Sequence, residues 1–122
     1  MLRSVGDPLE VHLEGRDRLL LAHVEGEVDI SNVESVRDRL TTGVDDARAG
    51  VVLDLSETGF LDSSGVRLLM DLREWLRERG QTLEIVAPSG GAVRRLIELI
   101  ELEGPLTVHE TTEAAASAAS RG

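Results

Sequence analysis

Residues 50–80 read GVVLDLSETGFLDSSGVRLLMDLREWLRERG and decide the fold of this 122-residue chain. The short β-branched run at 50–55 predicts a strand that is buried on both faces, as parallel strands are. Ten residues rich in turn formers follow, at 56–65. A helix is then predicted over 64–79, with Gly80 as its stop, because apolar residues recur there at helical spacing. The predicted buried face of that helix consists of Val66, Leu69, Leu72 and Leu76.

Strand and helix patterns alternate on both sides of this stretch. Apolar–polar alternation at 9–14 and an apolar run at 19–25 predict a hairpin that ends at Gly26. Helical spacing returns from Ser31, with Ser31 or Asn32 as the N-cap. The later predictions are strands at 82–87 and 106–109, a helix at 92–102 with Val93, Leu96, Ile97 and Ile100 facing inward, and a helix at 112–120 capped by Thr111 or Thr112. The predicted class is therefore α/β, with a mixed sheet of about five strands and with about four helices. The sheet is expected to start with a hairpin and to be wound otherwise from strand–helix–strand units.

The length fits one domain, because domains most often contain about 100–150 residues. We expect a single domain over 1–122, with its core at about 9–110 and flexible ends at 1–8 and 118–122. No apolar run approaches the roughly 20 residues of a membrane-crossing helix, and the chain has no cysteine. We therefore expect a cytoplasmic protein with no membrane partner. We also expect the protein to be a monomer when free.

The formal net charge of −10 excludes a function that depends on contacts with nucleic-acid phosphates, which require Lys and Arg. Phe60 and Trp75 are the only aromatic residues, so the chain has no stacking surface for bases. The charge is unevenly spread. Residues 63–95 carry six arginines and four acidic residues, a net +2 within an otherwise acidic chain. This stretch begins at the loop before the long helix.

Catalytic chemistry has little support in the sequence. A serine-hydrolase elbow would need glycine where the chain has Leu61. His12, His23 and His109 fall on predicted strands, where packing on the strand surface is their expected role. The lack of lysine excludes a Walker-type phosphate site, and no metal-ligand spacing is present. Residues 89–91, Ser-Gly-Gly, could present N–H groups to an anion but are typical of a turn. The chain is predicted to be a non-enzyme without a cofactor or metal.

Two hydroxyls lie in the turn Phe60-Leu-Asp-Ser-Ser-Gly65, where the buried strand leads into the long helix. Backbone N–H groups and the positive end of the helix favour negative charge there. Ligands and partners also meet open α/β sheets at such turns. The same residues suit a plain capping turn, with Ser64 as cap or first-turn residue. The residues alone leave both interpretations open.

The string VVLDLSETGFLDSSGVRLL at 51–69 resembles the signature of STAS-domain anti-sigma factor antagonists. Residues 24–30, VEGEVDI, resemble that family's Gly-Glu-x-Asp turn after the second strand. Residues 93–96 and 102–106 resemble its third helix and closing strand. These segments occur in register and together span about 10–115, so the chain is identified as a member of this family with a STAS-like fold.

The resemblance implies a partner-switching protein that regulates sigma-factor-dependent transcription, as in stress responses. In such proteins an anti-sigma factor that is itself a serine/threonine kinase phosphorylates the first serine of the pair and is then released, and a serine phosphatase acts transiently to reset the protein. That serine corresponds to Ser63. Asp29 matches an aspartate near the docking surface. The partner-binding residues implied by the resemblance are Asp29, Asp62, Ser63, Ser64, Gly65 and Arg67.

Arg67 departs from the family pattern, because members often have glycine at that place. Arg67 lies four residues after Ser63 on the predicted helix, so its guanidinium could reach a phosphate or remain an ordinary solvated charge. An alternative to the switch is a STAS scaffold or binding subunit of a stress-sensing or lipid-transport complex that is not phosphorylated. The intact serine favours the switch, since a scaffold needs no hydroxyl there.

Overall fold

The computed structural model describes residues 9–121, without the side chain of Arg121. The expected flexibility of residues 1–8 therefore lies outside the described residues. Six strands and four helices are present over the described range. The strands are β1 Glu10–Arg16, β2 Leu19–Val28, β3 Gly50–Asp54, β4 Thr58–Leu61, β5 Thr82–Val86 and β6 Thr107–His109. The helices are α1 Val33–Gly43, α2 Ser63–Glu78, α3 Ala92–Leu99 and α4 Thr112–Arg121.

The strands form one mixed sheet in the order β1-β2-β3-β5-β6, and β4 pairs with β2 off this path. The β1–β2 hairpin is antiparallel, and the other pairings are parallel. The α/β class and the wound arrangement after the hairpin are thereby confirmed. Within the described range, no helix is long and apolar enough to cross a membrane.

The fourth strand is the main departure from the prediction, because its segment, Thr-Gly-Phe-Leu, is typical of a turn. Thr58 is buried, and its hydroxyl donates a hydrogen bond of 2.7 Å to the carbonyl oxygen of Val24. Residues 58–61 pair with the end of β2, which continues past Gly26 to Val28. Gly26 adopts a φ of 114° next to a register shift, so it bends the strand where the sequence predicted an end.

The helices begin close to their predicted starts, and α3 ends earlier than predicted. Asn32 occupies the N-cap position of α1, and Thr111 Oγ1 accepts a hydrogen bond from the N–H of Ala114 in α4. Gly80 follows α2 with a φ of 75°, as a C-terminal glycine stop requires. The third helix stops at Leu99, so Ile100, predicted to face inward, is 40% exposed.

Apolar side chains fill both faces of the sheet. The larger cluster lies between one face and the helices α1, α2 and α3, and includes Leu69, Leu72 and Leu76, whereas Val66 is only partly buried. On the other face, Ala115 and Ala119 of α4 pack with Val52 and Val86. Helix α4 extends to Arg121, and Ala119 within it is fully buried.

Candidate functional site

Ser63 is the first residue of α2, and its side chain is exposed. The strand before it, β4, runs parallel to the end of β2, with Leu61 paired to Val28. This pairing brings two connections together at the carboxyl edge of the sheet. One is the β2–α1 turn at 29–32, and the other is the β4–α2 turn that carries Ser63.

Asp62 is the N-cap of α2 and organises the turn. Its Oδ1 accepts hydrogen bonds from the backbone N–H of Ser64 at 2.9 Å and of Gly65 at 3.1 Å. The Ser64 hydroxyl donates to the same oxygen at 2.5 Å. Ser64 is therefore the predicted first-turn residue, whereas the capping side chain is that of Asp62. The capping interpretation therefore holds for Asp62 and Ser64, and the hydroxyl of Ser63 takes no part in these capping bonds.

The second oxygen of Asp62 joins the two turns. Oδ2 accepts the backbone N–H of Ile30 at 3.1 Å, and the N–H of Asp62 donates to the carbonyl of Val28 at 3.2 Å. The hydrogen bond from the Ser64 hydroxyl is the largest cause that holds the pKa of the Asp62 carboxyl below its ordinary value of 3.8, and the backbone N–H bonds act in the same direction. Asp62 is thus an anion that fixes both turns.

Asp29 shapes the first of these turns. Its Oδ1 accepts hydrogen bonds from the backbone N–H of Ser31 at 2.9 Å and from the Ser31 hydroxyl at 2.5 Å. The backbone N–H of Asp29 donates to Asn32 Oδ1 at 2.9 Å. The Asn32 side chain therefore closes the turn and does not cap α1. Asp29 stands on the same edge of the sheet as Ser63, one residue before the Ile30 that Asp62 holds.

Gly65 is required by a close approach between α2 and the sheet. A Cβ at this position would lie 3.1 Å from Leu61 Cδ2 and 3.4 Å from Val28 Cγ1. Both neighbours are buried, so the helix start sits directly on β4 and β2. The glycine of the Asp-Ser-Ser-Gly turn therefore sets how closely Ser63 approaches the sheet edge.

Arg67 lies on the exposed side of α2, one turn after Ser63. Among the residues that the structure describes, none forms an ion pair with its guanidinium. Its positive charge is therefore available to solvent or to a bound partner.

Two exposed apolar side chains, in the turn held by Asp62 and on the strand before Ser63, were not assigned to the site from the sequence. Ile30 is 76% exposed in the first turn, and Phe60 is 50% exposed on β4, three residues before Ser63. Exposed apolar side chains that form a contiguous patch are typical of binding surfaces. For Phe60 the signal was its place as one of two aromatic residues, directly before Leu-Asp-Ser-Ser. For Ile30 the periodicity gave no signal, since it follows the end of β2.

The Ser-Gly-Gly turn at 89–91 already contacts an anion of the chain itself. The carboxylate of Glu110 accepts the backbone N–H of Ser89 at 3.0 Å and the Ser89 hydroxyl at 2.5 Å. The hydroxyl bond is the largest cause that lowers the pKa of Glu110. Arg94 Nη1 lies 3.1 Å from the same carboxylate. This turn therefore serves an internal contact.

Known proteins similar to this chain in sequence and fold include anti-sigma factor antagonists. The anti-sigma-F factor antagonist RsfA of Mycobacterium tuberculosis is 29% identical over 116 residues, which cover 93% of this chain and 90% of RsfA. The crystal structure of an anti-sigma factor antagonist from Mycobacterium paratuberculosis superposes with a TM-score of 0.84 and 28% identity, covering 97% of this chain and 99% of that one.

A more distant structure shares the fold. The unphosphorylated anti-sigma factor antagonist SpoIIAA superposes with a TM-score of 0.69 at 22% identity, over 93% of this chain and 99% of that one. The names of these relatives describe regulatory binding proteins, which supports the prediction that the chain is not an enzyme. The sequence model of the STAS domain family matches residues 10–115, so the resemblance found in the sequence is confirmed. The chain belongs to the STAS domain family.

Proposed function

We propose that this chain is an anti-sigma factor antagonist that binds an anti-sigma factor serine/threonine kinase while unphosphorylated and is released when that kinase phosphorylates Ser63. A serine phosphatase would then restore the binding form. Relatives named as anti-sigma factor antagonists in Mycobacterium tuberculosis and Staphylococcus aureus support the general role. The observation that carries the choice of residue is that the Ser64 hydroxyl is hydrogen-bonded to Asp62, whereas the Ser63 hydroxyl is exposed.

Ser64 is poorly suited to accept a phosphoryl group, because its hydroxyl is held 2.5 Å from the Asp62 carboxylate. Ser63 is exposed, and no residue in the described part of the chain hydrogen-bonds its hydroxyl. A kinase can therefore reach the Ser63 oxygen without breaking a contact of the fold. This contrast supports Ser63 as the acceptor.

The phosphate would act through charge at the surface. A phosphoserine carries about −1.5 to −2 charges at neutral pH. The Asp62 carboxylate already accepts the N–H groups of Ser64 and Gly65, so the phosphate finds these donors of the first turn occupied. It would remain at the surface beside a second anion. We therefore expect the fold to tolerate the modification while the docked complex does not.

The proposed docking surface consists of Asp29, Ile30, Phe60, Asp62, Ser63 and Arg67. It combines two apolar side chains with an exposed serine, fixed carboxylates and an arginine that has no ion pair among the described residues. A partner that covers Ile30 and Phe60 would bury the neighbouring Ser63 as well. Desolvating a phosphate there needs to cost only about 3–4 kcal/mol to weaken binding several-hundred-fold.

The direct test incubates the protein with ATP and candidate anti-sigma factor kinases and maps the phosphate by mass spectrometry. We expect modification of wild type and of Ser64→Ala, and none of Ser63→Ala. Binding of each variant to the kinase is then measured by calorimetry. Ser63→Ala should bind as wild type does, and Ser63→Asp should bind at least about 100-fold more weakly.

Ser120→Asp provides the matched control, because it adds the same charge on an exposed serine of α4, which packs on the opposite face of the sheet. It should bind as wild type does. The switch is refuted if no kinase modifies Ser63 and Ser63→Glu binds the partner as well as wild type. In that case the scaffold alternative, which needs no phosphorylation, would explain the fold.

A further inference from the structure

A second polar cluster lies on the β1–β2 hairpin, away from Ser63. On one face of the hairpin, Glu10 pairs with Glu25 across the strands, and His12 pairs with His23. The two imidazole rings stand 6.1 Å apart between centroids. A groove of about 290 Å³ opens beside both rings and is lined by Leu21 and by Thr112 at the start of α4. The cluster is therefore accessible from solvent.

His23 is held between two carboxylates. Its Nδ1 lies 3.1 Å from Asp54 Oδ2, and its Nε2 lies 2.8 Å from Glu57 Oε1. A neutral imidazole carries a single N–H, so it can donate to only one of these oxygens. The other nitrogen then faces a carboxylate through its lone pair. A cation at the second nitrogen, either an additional proton or a metal ion, would satisfy both contacts.

The surrounding charges favour a cation of higher charge than a proton. Four carboxylates, those of Glu10, Glu25, Asp54 and Glu57, surround the two imidazoles, and in the described structure their ion pairs are with the histidines alone. No arginine of that part of the chain neutralises them. The carboxylates therefore leave a negative charge that two neutral imidazoles do not compensate.

The donor atoms are close enough to share one ion. A nitrogen of His23 and carboxylate oxygens of Glu25 and Glu57 all lie within 4.8 Å of one another. Zinc binds imidazole nitrogen and carboxylate oxygen at about 2.0–2.2 Å, so small rotations of the two exposed glutamates would complete the contacts. Asp54 on the opposite ring nitrogen has the role of the carboxylate that orients a metal-bound histidine.

We propose that His23, Glu25 and Glu57 form a binding site for a divalent transition metal ion of the zinc type, with Asp54 orienting His23. His12 is a further donor beside the site, with its Nε2 3.9 Å from Glu25 Oε1. The mixed nitrogen and oxygen donors favour Zn²⁺ over Mg²⁺, which prefers oxygen alone. The sequence gave no spacing signal, because the ligands come from β2 and from the β3–β4 connection.

Such an ion would fasten the hairpin to the connection that leads into β4. Glu57 directly precedes β4, and its carbonyl already accepts the N–H of Gly26 at 3.2 Å. Metal binding should therefore raise the thermal stability of the folded chain, because a ligand that binds only the folded state shifts the equilibrium toward it.

The test uses the untagged full chain, freed of metal with a chelator, at neutral pH. Calorimetry and thermal unfolding are followed on addition of Zn²⁺, with Mg²⁺ as the contrast. We expect one Zn²⁺ per chain, an increase in the unfolding temperature, and neither effect with Mg²⁺. Glu57→Gln and His23→Asn should abolish the shift, and Asp54→Asn should weaken binding about 10–100-fold.

Glu14→Gln is the matched control, because Glu14 lies on the same face of β1 and loses the same charge outside the proposed ligand set. It should bind Zn²⁺ as wild type does. Wild type that binds no Zn²⁺ would overturn the proposal. Equal binding by wild type, Glu25→Gln and Glu57→Gln would overturn it also, and neither outcome bears on phosphorylation of Ser63.

Discussion

Truncation of Leu69 to alanine tests the packing of α2 on the sheet. Leu69 is 2% exposed and belongs to the main core cluster. The change removes three carbon atoms, which costs about 2.4 kcal/mol at about 0.8 kcal/mol for each buried methylene. A residual void of roughly 50 Å³ adds about 1.2 kcal/mol. Leu69→Ala should therefore lower the free energy of unfolding by about 3–4 kcal/mol.

The assay is urea unfolding followed by circular dichroism, with the midpoint and slope compared between variants. Leu99→Ala is the matched control, because the same side chain is 78% exposed at the end of α3. That change should alter the free energy of unfolding by less than about 0.5 kcal/mol. The slope should stay constant if only the folded state loses stability.

A loss below about 1 kcal/mol in Leu69→Ala, or an equal loss in Leu99→Ala, would refute the assignment of the buried face of α2. Unchanged binding of the partner by folded Leu99→Ala would in addition show that the end of α3 lies outside the docking surface.

Two further predictions concern the turn at the candidate site. Gly65→Val should destabilise the fold by about 1–3 kcal/mol in urea unfolding, because the valine side chain would meet Leu61 and Val28. Gly59→Val is the control and should have little effect, because no atom lies within 4 Å of its new Cβ. Equal effects of the two changes would contradict the close approach of Gly65 to the sheet. The lowered pKa of Asp62 means that its contribution to stability is present above its ordinary value of 3.8 and is lost as the pH falls through the folded-state value. The difference in unfolding free energy between wild type and Asp62→Ala should therefore shrink on going from pH 7 to pH 3, and a constant difference would exclude the carboxylate as the titrating group.

The sequence predicted correctly those helices and strands whose position depends on hydrophobic spacing and stop signals within a few residues. The alternation at 9–14 and the helical spacing of Leu69, Leu72 and Leu76 correspond to β1 and to the buried face of α2. Gly80 ends that helix with the positive φ that its position required. In these segments the hydrophobic period and the stop signal act over a few residues, so the sequence contains the information directly.

The departures depend on partners distant in the sequence. Residues 58–61 have turn-like composition and become a strand because they pair with β2. The Asp-Ser-Ser-Gly spacing predicted a turn at Ser63, but the link from Asp62 to Ile30 joins residues of two different connections. The exposure of Ile30 and the bracketing of His23 likewise follow from tertiary arrangement, which no local period describes.

The two-part pairing of β2 has a consequence for when this protein can act. The first half of β2 pairs with β3 and its last residues pair with β4, so the turn that carries Ser63 is placed only after both later strands have joined the sheet. Such long-range parallel pairings form late and slowly in folding. A nascent or partly unfolded chain would contain the same serine peptide without Asp29 and Ile30 beside it. A partner that binds the assembled sheet edge would therefore bind the folded protein and not a nascent or partly unfolded chain.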